Sequence, residues 1–205
     1  MNLYKTHILP NLIISGCDKK SQMKQREKIV PLAKGKVLEI GVGSGLNLPF
    51  YKEAKIKELI GLDPSRILWD KRVVKEKELG FNFEFVEAIA EDMPFEKHTF
   101  DTVVITYTLC TIFNFKVALE SIHKALKPSG KLLFCEHGKA PDRKVYRAQN
   151  FLNPLWKNLA GGCNINRDIP KIISTNGFQI QDLQTMYVPG WKPASFNFWG
   201  KAKPL

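Results

Sequence analysis

Short apolar runs and helix-like segments alternate along most of the chain. The apolar runs are bounded by glycine, proline or polar residues, which is typical of buried strands. They span residues 36–40, 57–62, 81–86, 101–106 and 131–136. Residues 65–79 and 114–126 lie between them and predict helices, and the second segment has its apolar side chains on one helical face. This alternation predicts a parallel sheet with helices on both faces.

The last part of the chain has a different order. Residues 167–178 predict a short helix that ends near Gly177, and residues 178–186 and 195–203 predict two strands. The turn between these strands contains proline and glycine, so the two strands would form a hairpin and place one antiparallel strand in the sheet. We therefore expect an α/β fold with a seven-stranded, mostly parallel sheet and helices on both faces.

Composition and charge narrow the class of protein. The length of 205 residues suits one α/β domain, and no apolar run reaches the roughly 20 residues of a membrane span. The partly apolar residues 3–15 predict a short helix on the domain or on a membrane surface, and not a signal peptide. The net charge of +11 favours anionic partners, although basic residues that solvate helix faces explain it more simply.

The cysteines indicate a reducing environment. Cys17, Cys110, Cys135 and Cys163 are widely spaced and form no CxxC pair. We therefore expect neither a disulfide scaffold nor a metal site, and the predicted location is the cytoplasm.

A glycine-rich loop follows the first predicted strand. Residues 37–47 read VLEIGVGSGLN, with glycine at positions 41, 43 and 45. A strand, a glycine loop and a helix form a nucleotide-binding arrangement, because the backbone there can approach a ligand closely. The dinucleotide fingerprint GxGxxG would need glycine at position 46, which is Leu46, and no GKS or GKT follows to make a P-loop.

With Glu39 the loop reads ExGxGxG and resembles the cofactor loop of class I S-adenosylmethionine (SAM) methyltransferases. Asp63 ends the second predicted strand, where an acid can accept hydrogen bonds from both ribose hydroxyls. Residues 87–95 resemble the adenine loop of that family. Ile89 stands where the family usually has aspartate, so that adenine recognition would rest on Ala90 and Glu91.

The resemblance extends beyond these motifs. The motifs occur in order over residues 36–136, and the stretches SGLNLPFY, TLCTI and GGCNINR are similar to a bacterial branch of the type 11 methyltransferases. That branch is similar to the methyltransferase-like family whose animal members methylate alkyl thiols. The resemblance implies a Rossmann-like class I methyltransferase fold, SAM as cofactor and S-adenosylhomocysteine as product. The cofactor-binding residues it implies are Glu39, Gly41, Val42, Gly43, Gly45, Asn47, Asp63, Pro64, Ser65, Ala90, Glu91 and Thr106.

The same resemblance divides the single SAM-dependent methyltransferase domain, residues 1–205, into three parts. Residues 1–34 would form a helical cap and residues 35–140 the SAM-binding core. Residues 141–205 would supply the substrate-side helices and the closing hairpin.

Candidate acceptor residues follow the fourth and fifth predicted strands. Tyr107 and Cys110 would line the acceptor site, and Tyr107 and His137 are the candidate catalytic residues, although His137 could instead only cap a loop. Gly161 and Gly162 permit a tight bend. The segment they begin is either a substrate lid that carries Asn164 and Arg167 or a plain turn between helices.

The sequence thus favours a SAM-dependent methyltransferase for a small acceptor, with a thiol as one candidate. A phospholipid or quinone-precursor methyltransferase at the membrane surface is the alternative within the enzyme class. The (N/D)PP(Y/F) loop of enzymes that methylate amide or base nitrogens is absent after the fourth strand, so we do not expect DNA as a partner. An RNA-binding module is a remote alternative that rests on the net charge alone. The sequence does not predict the oligomeric state.

Overall fold

The computed structural model describes residues 3–72 and 74–205, except for the side chain of Lys5. The described residues form one seven-stranded sheet in the order β3-β2-β1-β4-β5-β7-β6. The strands are β1 (Gly35–Ile40), β2 (Ile56–Leu62), β3 (Asn82–Val86), β4 (Phe100–Thr106), β5 (Leu126–His137), β6 (Phe178–Tyr187) and β7 (Phe196–Pro204).

The strand pairing confirms the predicted fold class. β1 pairs in parallel with β2 and β4, and the pairs β2–β3 and β4–β5 are also parallel. β7 pairs antiparallel with both β5 and β6, so it alone runs against the rest. The chain leaves β1 toward β2 on one side and returns with β4 on the other. This reversal opens a crevice at the carboxyl ends of β1 and β4, where doubly wound sheets bind ligands.

The helices that cover the sheet are short in the first part of the chain and longer later. A π-helical turn, Tyr4–Ile8, runs directly into the first helix. The helices are α1 (Leu9–Cys17), α2 (Lys20–Ile29), α3 (Arg66–Asp70), α4 (Phe115–Ala125), α5 (Arg143–Leu159) and α6 (Ile169–Ser174). Among the described residues, none of these helices has the length and apolar character needed to cross a membrane.

Helix α4 matches the prediction for residues 114–126. The side chain of Asn114 caps it by accepting a hydrogen bond from the backbone N–H of Val117. Its face with Leu119 and Ile122 is completely buried against the sheet.

The helix predicted over residues 65–79 is largely wrong. α3 ends at Asp70 and only a 3₁₀ turn, Glu76–Glu78, follows. The physical reason is the spacing of the apolar side chains after Trp69, which stacks on Phe83 and Phe85 at centroid distances of 4.9 and 5.1 Å. The next residues are mostly charged. Val74 and Leu79 pack against the same core cluster, but five residues apart they do not share a helical face, and they contact the core from non-helical backbone. Val73, which the same prediction included, lies outside the described residues.

Candidate active site

The glycine loop after β1 depends on left-handed backbone at three positions. Gly41, Gly43 and Gly45 have φ of 73°, 53° and 75°. A Cβ atom at Gly41 would collide with the side chain of Thr108, and one at Gly45 would lie 2.8 Å from Cδ1 of Leu48. At Gly43 an added Cβ would collide with nothing, since its nearest neighbours, Oδ2 of Asp63 and the carbonyl oxygen of Gly41, are 3.9 Å away. Only at Gly43 does the loop leave room for a ligand to approach the backbone.

Asp63 lies at the end of β2 and is bonded to the open side of this loop. Its Oδ2 accepts a hydrogen bond from the backbone N–H of Gly43 at 2.9 Å, and its Oδ1 accepts one from Ser65 at 2.8 Å. Burial raises the pKa of the Asp63 carboxyl, and the two backbone hydrogen bonds oppose that rise. The carboxylate is thus oriented by the backbone, with lone pairs left for a ligand. Ser65 also caps α3 through Leu68, and Pro64 between them is exposed.

Glu39 lies beneath the loop and is buried. Its two carboxylate oxygens accept hydrogen bonds from Nδ2 of Asn47 at 2.9 Å and from the hydroxyl of Tyr51 at 2.7 Å. Burial raises the pKa of Glu39 to about 7, against the hydrogen bond from Tyr51 and the charge of Arg26. In this geometry Glu39 orders the loop from inside. Val42, also buried, packs nearby on the face of the sheet that contains Trp69.

Arg26 on α2 belongs to the same network, and the sequence analysis did not identify it. Its Nη1 donates to Oδ1 of Asn47 at 2.8 Å and to Oγ1 of Thr106 at 2.5 Å. Its guanidinium carbon lies 5.0 Å from the centroid of the Tyr107 ring. Arg26 is one basic residue in a charge-rich segment, and no spacing distinguishes it from its exposed neighbours. The buried guanidinium joins the N-terminal helices to the loops after β1 and β4.

The predicted adenine loop borders the same crevice. Ala90 is 5% exposed and belongs to the core, whereas the Ile89 side chain is 48% exposed. Oε1 of Glu91 accepts a hydrogen bond from the backbone N–H of Asn114 at 3.0 Å. Glu91 therefore fastens this loop to the start of α4.

The ends of β4 and β5 meet in a dense polar cluster. Both oxygens of the buried Glu136 accept hydrogen bonds from backbone N–H groups, those of Thr108, Leu109 and Cys110. Tyr107 has a φ of 52°, which is unusual for a residue with a side chain, and its hydroxyl donates to Oδ1 of Asn197 at 2.7 Å. Strained backbone of this kind is common at functional sites. The ring of His137 stacks on that of Tyr107 at a centroid distance of 6.3 Å.

The segment after α5 reaches this cluster. Gly161 and Gly162 have φ of 61° and 95° and make the expected bend. The backbone N–H and Nδ2 of Asn164 both donate to the carbonyl oxygen of Cys110 at 3.0 Å, and Nη1 of Arg167 donates to the carbonyl oxygen of Leu109. The predicted acceptor residues Cys110, Asn164 and Arg167 thus come together.

Gln149 on α5 is the second residue that sequence reasoning missed. It is completely buried, and its Nε2 lies within 2.9 Å of the carbonyl oxygens of Gly138, Ile165 and Pro193. Its Oε1 accepts a hydrogen bond from Ala140 at 2.9 Å. One side chain therefore joins three loops on the acceptor side, and a single glutamine on a polar helix gives no signal of this in the sequence.

At the site, the glycine loop after β1 is hydrogen-bonded to Asp63 at the end of β2. The site lies where the strand order reverses between β1 and β4. This is the arrangement that defines a class I methyltransferase. Gly43 and Asp63 fit SAM because no side chain covers the Gly43 backbone and the Asp63 carboxylate keeps lone pairs beyond its two backbone hydrogen bonds.

Known proteins lead to the same class. A family model described as "Methyltransferase domain" matches residues 38–134. The chain is 30% identical over 176 residues to the human thiol S-methyltransferase TMT1A, an alignment that covers 84% of this chain and 72% of that protein. It is 37% identical over 128 residues to the ubiquinone/menaquinone biosynthesis C-methyltransferase UbiE of Pasteurella multocida, covering 57% of this chain and 46% of that protein.

Among solved structures, a geranyl diphosphate methyltransferase in complex with SAM has the same fold. It is 13% identical with a TM-score of 0.66, and the match covers 96% of this chain and 90% of that one. The chain belongs to the methyltransferase-domain family and is a SAM-dependent methyltransferase. These relatives are enzymes and do not favour the RNA-binding alternative.

Proposed function

We propose that the protein transfers the methyl group of SAM to a small alkyl thiol and releases S-adenosylhomocysteine. The observation that carries the cofactor part is that the backbone at Gly43, which no protein atom crowds, lies next to the oriented carboxylate of Asp63. The thiol is supported by the similarity to thiol S-methyltransferases over most of the chain.

The cofactor side would work through backbone and one acid. Asp63 would accept hydrogen bonds from the ribose hydroxyls, and the backbone of Gly43 would lie against the amino-acid part of SAM. Ala90 and the exposed side chain of Ile89 would border the adenine. Two further groups of residues would support these loops. The residues that shape the loops are Gly41, Val42, Gly45, Asn47, Pro64 and Ser65. The residues that stabilise them through hydrogen bonds are Glu39, Glu91 and Thr106.

On the acceptor side the residues would position a thiol and exclude water. SAM supplies an electrophilic methyl group on a sulfonium, and a thiolate needs little further activation to attack it. Burial raises the pKa of Tyr107 well above its ordinary value, so its hydroxyl stays protonated and would position groups instead of removing a proton. His137 lies beside it and would orient the acceptor.

Cys110 is not the nucleophile in this proposal. Its hydrogen bond with Cys163 and its burial raise the pKa of its thiol well above the ordinary value, so that little thiolate is available.

Calorimetric titration with SAM and with S-adenosylhomocysteine tests the cofactor part. We expect binding near micromolar affinity and a loss of at least roughly 100-fold in Asp63→Ala, because the variant lacks the hydrogen-bonding carboxylate. Glu84→Gln, an exposed acid on β3, is the matched control and should bind normally. Unchanged binding in Asp63→Ala would refute the assignment of this acid.

Product analysis with SAM and a panel of acceptors tests the thiol part. Alkyl thiols should give S-methyl products, and alcohols of the same chain length should not. Methylation of a phospholipid or a quinone precursor in preference to every thiol would replace this proposal with the membrane-surface alternative.

We also propose peripheral contact of this cytoplasmic enzyme with membranes. Exposed apolar side chains recur at four-residue spacing on two neighbouring helices: Ile8 and Leu12 at the N-terminus, and Phe151, Leu155 and Leu159 on α5. These helices touch, because the hydroxyl of Tyr4 donates to the carbonyl oxygen of Leu159 at 2.5 Å. A row of exposed apolar side chains on a basic protein suits the surface of an anionic bilayer.

Liposome sedimentation tests the membrane contact. The protein should bind vesicles that contain phosphatidylserine, and the double variant Phe151→Ser, Leu155→Ser should bind them several-fold less. Leu183→Ser on β6 is the control. Equal sedimentation of the double variant and the parent would exclude this surface.

A further inference from the structure

Three potential metal ligands meet on the acceptor side. Cys110 follows β4, His137 ends β5, and Cys163 lies in the bend after α5. Their ligand atoms, two sulfurs and one imidazole nitrogen, all lie within 4.8 Å of one another. The sequence separates these residues widely, and only the folded chain brings them together.

The separations are close to those of a zinc site. Tetrahedral zinc with Zn–S bonds of about 2.3 Å holds two sulfurs roughly 3.8 Å apart, and Sγ of Cys110 and Sγ of Cys163 are 3.7 Å apart. The same geometry places sulfur and nitrogen roughly 3.6 Å apart, and Sγ of Cys163 lies 3.2 Å from Nε2 of His137. Both separations are within roughly 0.4 Å of the tetrahedral values.

The three ligands are held by independent contacts. The backbone N–H of Cys110 donates to the carboxylate of Glu136, and its carbonyl oxygen accepts from Asn164, the residue after Cys163. β5 pairs His137 with Asn197 of β7. Rigid ligands of this kind reduce the free energy needed to organise a metal site. Cys163 and His137 are only half-buried, so the group is partly accessible from outside the core.

We propose that Cys110, His137 and Cys163 bind Zn²⁺ and leave its fourth position free for the sulfur of the acceptor thiol. Two cysteines and one histidine make a soft ligand set that suits zinc, and three protein ligands with one open position are typical of catalytic zinc sites. The metal site stands on its own geometry, whereas the role of the open position rests on the proposed function.

The step balances without any oxidant. Cys110 and Cys163 each release a proton when they bind the ion. The acceptor thiol releases its proton to solvent when its sulfur binds, since a coordinating thiol is deprotonated. That sulfur then forms a bond to the methyl carbon as the carbon–sulfur bond of SAM breaks, and the electron pair of that bond stays on the cofactor sulfur. The neutral thioether is a weaker ligand than the thiolate and leaves.

Zinc titration of the full-length protein tests the site. The protein is reduced, freed of metal with a chelator, and titrated with ZnCl₂ in competition with a chromophoric zinc chelator. We expect one zinc ion per chain and an affinity roughly 100-fold lower in Cys163→Ala. Cys135→Ala is the matched control, because Cys135 is a buried thiol of β5 that is not among the three clustered ligands. The absence of stoichiometric zinc, or equal affinity in Cys163→Ala, would overturn the proposal.

Cobalt substitution tests the open position. The Co²⁺ protein should show a thiolate-to-cobalt charge-transfer band that Cys163→Ala weakens, and addition of an alkyl thiol should intensify it, whereas an alcohol should not. A band that no thiol changes would refute the acceptor role and leave the metal site. SAM binding is measured on the same sample. Normal SAM binding there would show that a failure of the metal site, or of its acceptor role, leaves the cofactor assignment intact.

Discussion

The cofactor side and the acceptor side of the crevice obtain their geometry in different ways. On the cofactor side the loops are shaped by their own backbone. Glycines with left-handed φ follow β1, and Asp63 accepts hydrogen bonds from the backbone N–H groups of Gly43 and Ser65. On the acceptor side, segments far apart in the sequence are joined by side chains such as Gln149, Glu136 and Asn164. The first kind of site leaves a mark in the sequence, because glycine spacing is visible. The second kind does not.

Loss of the Gln149 side chain should lower stability the most, and the contacts that it removes all lie on the acceptor side. Gln149→Leu fills similar volume but leaves four backbone groups in a buried region without their partner. We expect a loss of about 4 kcal/mol in the free energy of unfolding, measured by urea denaturation. Gln179→Leu, at an exposed position of β6, should change it little. If Gln149→Leu is as stable as the parent, side chains do not hold the acceptor side together.

The two glycines of the loop should respond differently to alanine. Gly41→Ala combines left-handed backbone with a collision against Thr108, and we expect it to lose about 3 kcal/mol or more in stability. Gly43→Ala brings no collision, since the nearest atoms lie 3.9 Å from the added Cβ. Only the backbone strain of about 1–2 kcal/mol therefore applies to stability, while SAM affinity should fall strongly.

Thermal unfolding and SAM titration of both variants separate the two effects. Gly16→Ala on α1, where an added Cβ meets nothing, should be stabilising. Equal loss of SAM affinity with no difference in stability between Gly41→Ala and Gly43→Ala would show that the ligand, and not Thr108, excludes side chains at both positions.

The ionisation of Glu39 should lower stability as pH rises. Its pKa is about 7 in the folded protein and 4.5 ordinarily, a difference of 7 − 4.5 = 2.5. The folded state therefore keeps a proton that the unfolded chain loses between these values. The contribution of Glu39 to the free energy of unfolding is therefore largest below pH 4.5. It falls as the pH approaches 7 and does not change further above that pH.

The full contribution of Glu39 is about 3 kcal/mol at most, and Glu39→Gln should lack it. Urea unfolding of both proteins from about pH 5 to about pH 8 measures the difference in slope. Glu84→Gln should keep the slope of the parent. A Glu39→Gln variant with an unchanged slope would mean that Glu39 is ionised throughout.

Arg26 joins the two sides and should have the smallest of these effects. Arg26→Gln loses the charge-assisted hydrogen bonds to Asn47 and Thr106, worth about 2 kcal/mol of stability. We expect SAM affinity to fall with it, because both partners belong to the loops that border the cofactor. Lys24→Gln, exposed on the same helix, is the control for the loss of charge. Normal SAM affinity in a destabilised Arg26→Gln would place the N-terminal helices outside the cofactor site.

Strands β1 to β5 were predictable because each contains a short apolar run whose boundaries are local properties. Strands β6 and β7 were predictable from the proline- and glycine-containing turn between them. The glycine loop and Asp63 were also predictable from local spacing. The helix predicted over residues 65–79 was wrong because its second half is mostly charged, and Val74 and Leu79 contact the core at a spacing that one helical face does not provide. The approach of Cys110 to Cys163 could not be predicted, because it depends on how α5 crosses the sheet. The expectation of no metal site rested on the absence of a CxxC pair, which says nothing about ligands from separate segments.

The position of β7 has a consequence for how the enzyme is made. β7 follows β6 in the chain but lies between β5 and β6 in the sheet. As the polypeptide leaves the ribosome, the strands that border the cofactor can pair while the apolar outer edge of β5 still waits for a partner. That edge is a template for aggregation until residues 196–204 emerge. A nascent chain could therefore bind SAM before its acceptor side has folded.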